Sequence, residues 1–258
     1  MARRTKIIAT IGPASDDETT LRDLIRAGMD VARLGLAHNT IDEAAERMAR
    51  IRRIAATEGR YVGILVDLPG PKVRAASFGE TSVDIVEDSR VNLRVGGRAS
   101  TASDIEIDYA GLLTDVEAGD RLSMGDGRVV LEVLEMGGDR VSTRVAHGGV
   151  LTGSPGLHIP SDRLSMRAPT DEDLVAVERF VELGADMLAI SFVRSAEDLA
   201  RVPVDPHPVG PIVVAKIETR AAIEDLPAII EASGAVMVAR GDLGSECSIE
   251  ELPILQKE

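Results

Sequence analysis

The chain has 258 residues, with 29 basic against 43 acidic side chains and a formal net charge of −14. Hydrophobic residues make up 44%, which excludes a disordered composition. Apolar runs such as residues 187–193 fall far short of the ~18 residues a membrane-spanning helix needs. The acidity argues against general binding to nucleic acid or anionic membranes, and three Phe, two Tyr and no Trp offer little on which to stack bases; a local basic pocket for phosphate remains open. One Cys cannot close an internal disulfide, and the apolar run over 7–11 is shorter than the ~7–15 residues of a signal-peptide core. Both point to the cytoplasm.

Residues 6–12 read as a short buried strand. Ser15 and Glu18 are spaced as a capping box ahead of a helical stripe of Leu21, Leu24 and Ile25, and Gly28 is a natural stop. Residues 30–36 read as a second strand. Thr40 and Glu43 repeat the capping box before a helix to about Thr57, ended by Gly59, and residues 61–68 read as a third strand. Short apolar strands separated by helices predict a parallel sheet with helical crossovers. From Lys72 to about Met166 the period becomes two, as in Val83-Asp84-Ile85-Val86 and Val129-Val130-Leu131-Glu132-Val133. Gly96-Gly97, Asp126-Gly127 and Gly137-Gly138 supply turn signals between the segments. This is a β insert in an α/β chain. The α/β rhythm then returns: a helix from Thr170-Asp171 with Leu174, Val177, Phe180 and Val181 on one face, stopped by Gly184, and a strand over 186–193. A helix from Ser195, a Pro-rich loop over 202–211, a strand over 212–218, a helix over 221–231, a strand over 235–240 and a helix from 249 complete the chain.

In parallel α/β folds the working groups sit at the carboxyl ends of strands. The fifth α/β strand ends Lys216-Ile217-Glu218, with Lys216 and Glu218 on one face; the sixth ends Arg240-Gly241-Asp242. Glu218 and Asp242 on neighbouring strands suit a hard divalent cation, with Lys216 beside it to stabilise an enolate or a transferring phosphoryl group. A Lys–Glu ion pair with a helix-capping Asp242 fits the spacing equally. Arg33 ends the second strand, before His38, and can fork onto a phosphate or carboxylate or make a structural salt bridge. Asp67 precedes the rigid Pro69-Gly70-Pro71 turn, then Lys72 and Arg74; this reads either as a hinge into the β insert or as a turn with solvated charges. There is no G-x-G-x-x-G after a strand, no Gly-x4-Gly-Lys-Ser/Thr and no Cys/His zinc spacing. Cys247 reads as an ordinary thiol, and His147, His158 and His207 as solvated loop residues.

Taken together, these segments resemble pyruvate kinase. The resemblance is carried by Thr5-Lys6-Ile7-Ile8-Ala9-Thr10-Ile11-Gly12-Pro13-Ala14-Ser15, Gly28-Met29-Asp30-Val31-Ala32-Arg33-Leu34, Gly119-Asp120-Arg121-Leu122 with Gly125-Asp126-Gly127, Ser191-Phe192-Val193-Arg194, Lys216-Ile217-Glu218 and Met237-Val238-Ala239-Arg240-Gly241-Asp242-Leu243-Gly244. It implies a (β/α)8 TIM barrel in two parts, 1–71 and 168–258, lacking its last two βα units, with an all-β lid domain over 72–167 and no C-terminal domain. It implies phosphoryl transfer between phosphoenolpyruvate and ADP, giving pyruvate and ATP, with Mg²⁺ or Mn²⁺. By position, Glu218 and Asp242 would hold the metal, Lys216 would stabilise the phosphoryl group and enolate, and Arg33 would bind the phosphoryl group. Arg74 and His38 would meet the nucleotide, Asp67 would belong to the monovalent-cation and phosphate region, and the Gly241 and Asp242 amides would cradle the substrate carboxylate. A full-length homotetramer is implied, with neither nucleic acid nor membrane as partner.

Some positions depart from the family pattern. Gly35 and Ala37 stand where Asn and Ser usually ligate potassium, Leu68 replaces the Thr after Asp67, and Lys72 stands where potassium-dependent members have Glu. An ammonium at Lys72 can replace the ion's charge, so potassium independence is expected. The lid exit, usually Lys-Gly-Val-Asn-Leu-Pro, reads Pro155-Gly156-Leu157-His158-Ile159-Pro160. Two other readings stand beside the leading one: a metal-dependent pyruvate-enolate aldolase or lyase, and a catalytically silent homologue. At about 30 residues per βα unit, the chain without its β insert has room for five to six units, and six strands are read. The expectation is an open sheet, an unstable or self-associating chain, and no activity from these residues alone.

Overall fold

A computed structural model of the chain describes residues 4–37, 39–125, 127–248 and 250–257. The elements in chain order begin β1 (Ile8–Thr10), α1 (Glu18–Ala27), β2 (Val31–Gly35), α2 (Ile41–Thr57) and β3 (Gly63–Asp67). The β-rich stretch holds β4 (Val83–Ile85), β5 (Arg90–Val95), β6 (Asp104–Ile107), α3 (Leu112–Asp115), β7 (Arg121–Met124), β8 (Val129–Gly137), β9 (Arg140–His147), β10 (Gly149–Leu151) and β11 (Leu157–His158). Then come α4 (Asp171–Glu182), β12 (Met187–Ile190), α5 (Ala196–Ala200), β13 (Ile212–Ile217), α6 (Arg220–Glu224), α7 (Leu226–Ala232), β14 (Ala235–Val238), α8 (Arg240–Leu243) and α9 (Leu252–Leu255).

Two compact units result. The first comprises Met1–Gly70, Arg167–Ile217 and Asp225–Val238; the second comprises Pro71–Met166, Glu218–Glu224 and Ala239–Glu258.

The first unit is built on a six-stranded sheet in the order β1-β2-β3-β12-β13-β14, every pair parallel. Parallel neighbours need crossovers, and helices supply them. Local chemistry fixes the helix ends. Thr40 accepts the Glu43 N–H while the Glu43 side chain accepts the Thr40 N–H, so the predicted capping box is present on α2. Gly28 closes α1 at φ 105°, a left-handed position natural for glycine. The start of α1 differs from expectation: its cap is Asp17, whose carboxylate accepts from Thr19 and Thr20, and Ser15 instead closes a turn with Gly12. A carboxylate accepting two amides out-competes a hydroxyl two residues earlier. The single helix expected over 221–231 is split into α6 and α7 at Asp225, because Pro227 cannot donate to the preceding turn and sits at the start of a new helix instead.

The period of two decides what the sheet presents. Val31, Leu65, Ala189 and Val214 form an apolar layer contributed by β2, β3, β12 and β13. Two residues further along each chain, Arg33, Asp67, Ser191 and Lys216 share that face at the carboxyl end.

The second unit contains a six-stranded sheet, β11-β7-β8-β9-β5-β6, and the antiparallel pair β10-β4. Its core is aliphatic, with Val91, Leu93, Ile105, Leu122, Leu131 and Val145 fully buried among others. β8 and β9 form the hairpin signalled by Gly137-Gly138. Gly96-Gly97 does not close a hairpin: β5 and β6 pair in parallel, so the chain must cross over between them.

Candidate active site

In the first unit the strand-end residues form one connected polar cluster. Arg33 donates from Nε to Asp67 Oδ2 at 2.6 Å, its Nη2 lies 2.6 Å from the same oxygen, and Nη1 reaches Thr10 Oγ1 at 3.2 Å. The other Asp67 oxygen lies 3.4 Å from Lys216 Nζ. Lys216 donates to Ser191 Oγ at 2.7 Å, and Ser191 in turn donates to the Leu68 carbonyl at 2.6 Å. The side chains of Asp67 and Lys216 are 5% and 9% exposed, that of Arg33 37%. One nearly buried carboxylate therefore holds two cations, and the cluster carries a net positive charge facing the open end of the strands. Prepaid orientation of cations in a partly dehydrated place is what stabilises charge that develops on phosphoryl or enolate oxygens.

Sequence reasoning placed Arg33, Asp67 and Lys216 at strand ends without anticipating that Asp67 bridges the other two. Ser191 was quoted as part of a motif and given no role; its position at the end of β12, on the face of Ala189, was the available signal. The turn that brings these residues together is tight. Gly70 has φ +68°, and a Cβ there would lie 2.9 Å from Phe192 Cδ2 and 3.0 Å from Ser191 Cβ. Phe192 itself has φ 56°, a left-handed conformation costly for a bulky residue and frequent at functional positions.

Glu218, Gly241, Asp242, Arg74 and Lys72 lie in the second unit. Glu218 is 1% exposed. Gly241 and Asp242 are exposed on the single turn of α8. Asp242 does not cap that turn, whose N-cap position is Ala239 and makes no side-chain hydrogen bond. The Gly241 and Asp242 amides fall in the first turn, where N–H groups have no intrahelical acceptor. Arg74 is half-buried and donates to the Ser154 carbonyl at 3.3 Å, and Lys72 is exposed. His38 lies outside the described residues. Among the described residues no group of three or more His, Cys, Asp or Glu is arranged to hold a metal. Two carboxylates are a donor set that fits Mg²⁺, which is commonly held by one or two carboxylates with water and substrate oxygens.

Cys247 is buried, and burial pushes its thiol up, which disfavours the thiolate a nucleophile needs. His158 is not solvated: its side chain is 18% exposed and Nε2 lies 3.1 Å from Glu246 Oε1. No helix among the described residues is long and apolar enough to cross a membrane.

The family model for the pyruvate kinase barrel domain matches residues 2–258. The chain is 38% identical over 259 residues to a pyruvate kinase of Mycobacterium tuberculosis, covering 100% of this chain and 55% of that protein. It is 40% identical over 262 residues to pyruvate kinase II of Salmonella typhimurium, covering 99% and 55%. It is 36% identical over 259 residues to a pyruvate kinase of Thermococcus litoralis, covering 100% and 54%. The chain thus spans about half the length of the curated relatives it matches.

Proposed function

The chain belongs to the pyruvate kinase family, and on that premise we propose that it serves Mg²⁺-dependent phosphoryl transfer from phosphoenolpyruvate to ADP, giving pyruvate and ATP in glycolysis. The observation that carries this reading is the Arg33–Asp67–Lys216 cluster, two cations oriented by one nearly buried carboxylate. Phosphoryl transfer asks little covalent chemistry of a protein; it asks for position and for compensation of charge. Arg33 binds the phosphoryl group in its guanidinium fork. Lys216 stabilises first the transferring group and then the enolate oxygen left behind. Asp67 and Ser191 keep the Lys216 ammonium in place. The Gly241 and Asp242 amides donate to the substrate carboxylate, and Arg74 and His38 serve the nucleotide. Glu218 and Asp242 are the residues that would hold Mg²⁺, which when bound neutralises charge on the phosphoryl and enolate oxygens.

The same reading divides the chain into barrel segments 1–71 and 168–258 of a (β/α)8 type, with residues 72–167 as a lid domain. It also makes the working form a cytoplasmic homotetramer. The direct test is formation of ATP and pyruvate from phosphoenolpyruvate and ADP by the full-length protein with Mg²⁺. Pyruvate-forming cleavage without ADP would instead identify an aldolase or lyase. We further propose that Lys72 replaces the charge of a potassium ion, since Gly35 and Ala37 offer no side-chain oxygen to one. Turnover is expected to change less than about twofold when KCl replaces a tetraalkylammonium salt at constant ionic strength, an exchange that leaves general screening as it was. A strong rise on adding KCl would count against it.

A further inference from the structure

Four residues beyond Asp242 the chain carries a buried carboxylate that the proposed reaction does not use. The Glu246 side chain is 5% exposed. Its Oε1 accepts the Ser161 N–H at 3.0 Å and lies 3.1 Å from His158 Nε2. Its Oε2 accepts the Ser161 hydroxyl at 2.8 Å and the Arg220 N–H at 3.3 Å. The Arg220 guanidinium adds a bond to the Glu246 carbonyl at 3.3 Å, and the Glu246 N–H donates to the Leu243 carbonyl of α8 at 3.0 Å. Burial pushes the carboxyl up, but the His158 bond and charge, Ser161 and the Arg220 amide outweigh it and hold Glu246 below the ordinary range, so the group is ionised at neutral pH.

The three tethers attach at telling places. One is the turn of α8 that presents Gly241 and Asp242. Another is Arg220, two residues after Glu218. The third is the stretch from β11 to Ser161, where the β-rich segment ends. We propose that Glu246 is a positioning residue: it fixes the α8 turn against the segment after Glu218 and against the end of the β-rich segment, with His158 as the side-chain donor at that end. What is positioned rests on the phosphoryl-transfer reading; the tie itself does not.

A cavity of about 460 Å³ borders the tie and is also lined by Arg121, Asp162 and Glu224. Water can therefore enter where the imidazole is removed, so His158 variants are expected to stay folded.

The test is hydrogen exchange on the full-length protein with His158→Ala, His158→Gln and Glu246→Gln, together with steady-state kinetics. A lost bond to a charged group predicts about tenfold faster exchange of the amides over 240–247 in His158→Ala and Glu246→Gln, with the β8–β9 hairpin unchanged. His158→Gln, whose amide nitrogen reaches the place of Nε2 and can still donate to Glu246, restores protection. In the kinetics, Glu246→Gln raises KM for phosphoenolpyruvate more than it lowers kcat. Unchanged exchange over 240–247 in both variants overturns the proposal, as does faster exchange with KM unaltered. If the wild-type protein itself fails to turn over phosphoenolpyruvate, the reaction reading falls, and the exchange pattern alone decides the tie.

Discussion

Asp67 accepts from Arg33 at 2.6 Å and faces Lys216 at 3.4 Å, so its one charge offsets two that would otherwise repel across the strand ends. Because Lys216 is 9% exposed, removing the carboxylate takes from a nearly buried ammonium the charge that Asp67 sets against it. Asp67→Asn is therefore expected to cost about 3 kcal/mol of stability, the usual size for breaking one side of a buried pair. Urea denaturation measures it, and an unchanged midpoint would show that the cluster is solvated rather than structural. The substitution is also expected to lower turnover, because Lys216 loses the partner that orients it.

Among the elements, the Pro69-Gly70-Pro71 turn holds Asp67 and Ser191 in register. Gly70→Ala combines a strained φ of +68° with contacts of 2.9–3.2 Å to Phe192 and Ser191, so it is expected to destabilise by about 2 kcal/mol. A lower Tm together with reduced kcat would be observed; a wild-type Tm would mean that the turn can relax. The alternation of strand and helix, the change of period near Lys72, and the strand-end placement of Arg33, Asp67 and Lys216 were legible because periodicity and capping are local signals. The true cap at Asp17, the break at Asp225 and the parallel pairing of β5 with β6 were not. Each depends on a competition between neighbouring groups or on a partner distant in sequence. The His158–Glu246 tie joins residues 88 positions apart, and nothing in local pattern announces such a pair.

At the scale of the molecule, the first unit's sheet has β1 and β14 at its ends. Ile7, Ile8 and Val236 are 43%, 49% and 43% exposed, whereas every residue of β3 is buried. Edge strands with apolar side chains and unpaired backbone groups invite pairing with other chains. These 258 residues expressed alone are expected to associate as concentration rises, which sedimentation velocity would detect; a cooperative, monomeric melt would contradict it. If the strand-end cluster serves phosphoryl transfer, Lys216 is the cation on which it depends most. The decisive measurement is kcat for ATP formation from phosphoenolpyruvate and ADP by the full-length protein and its Lys216→Ala variant. Loss of a preorganised cation predicts a fall of at least about 10²–10³-fold with the fold intact by circular dichroism. Turnover unchanged in Lys216→Ala would contradict the assignment outright.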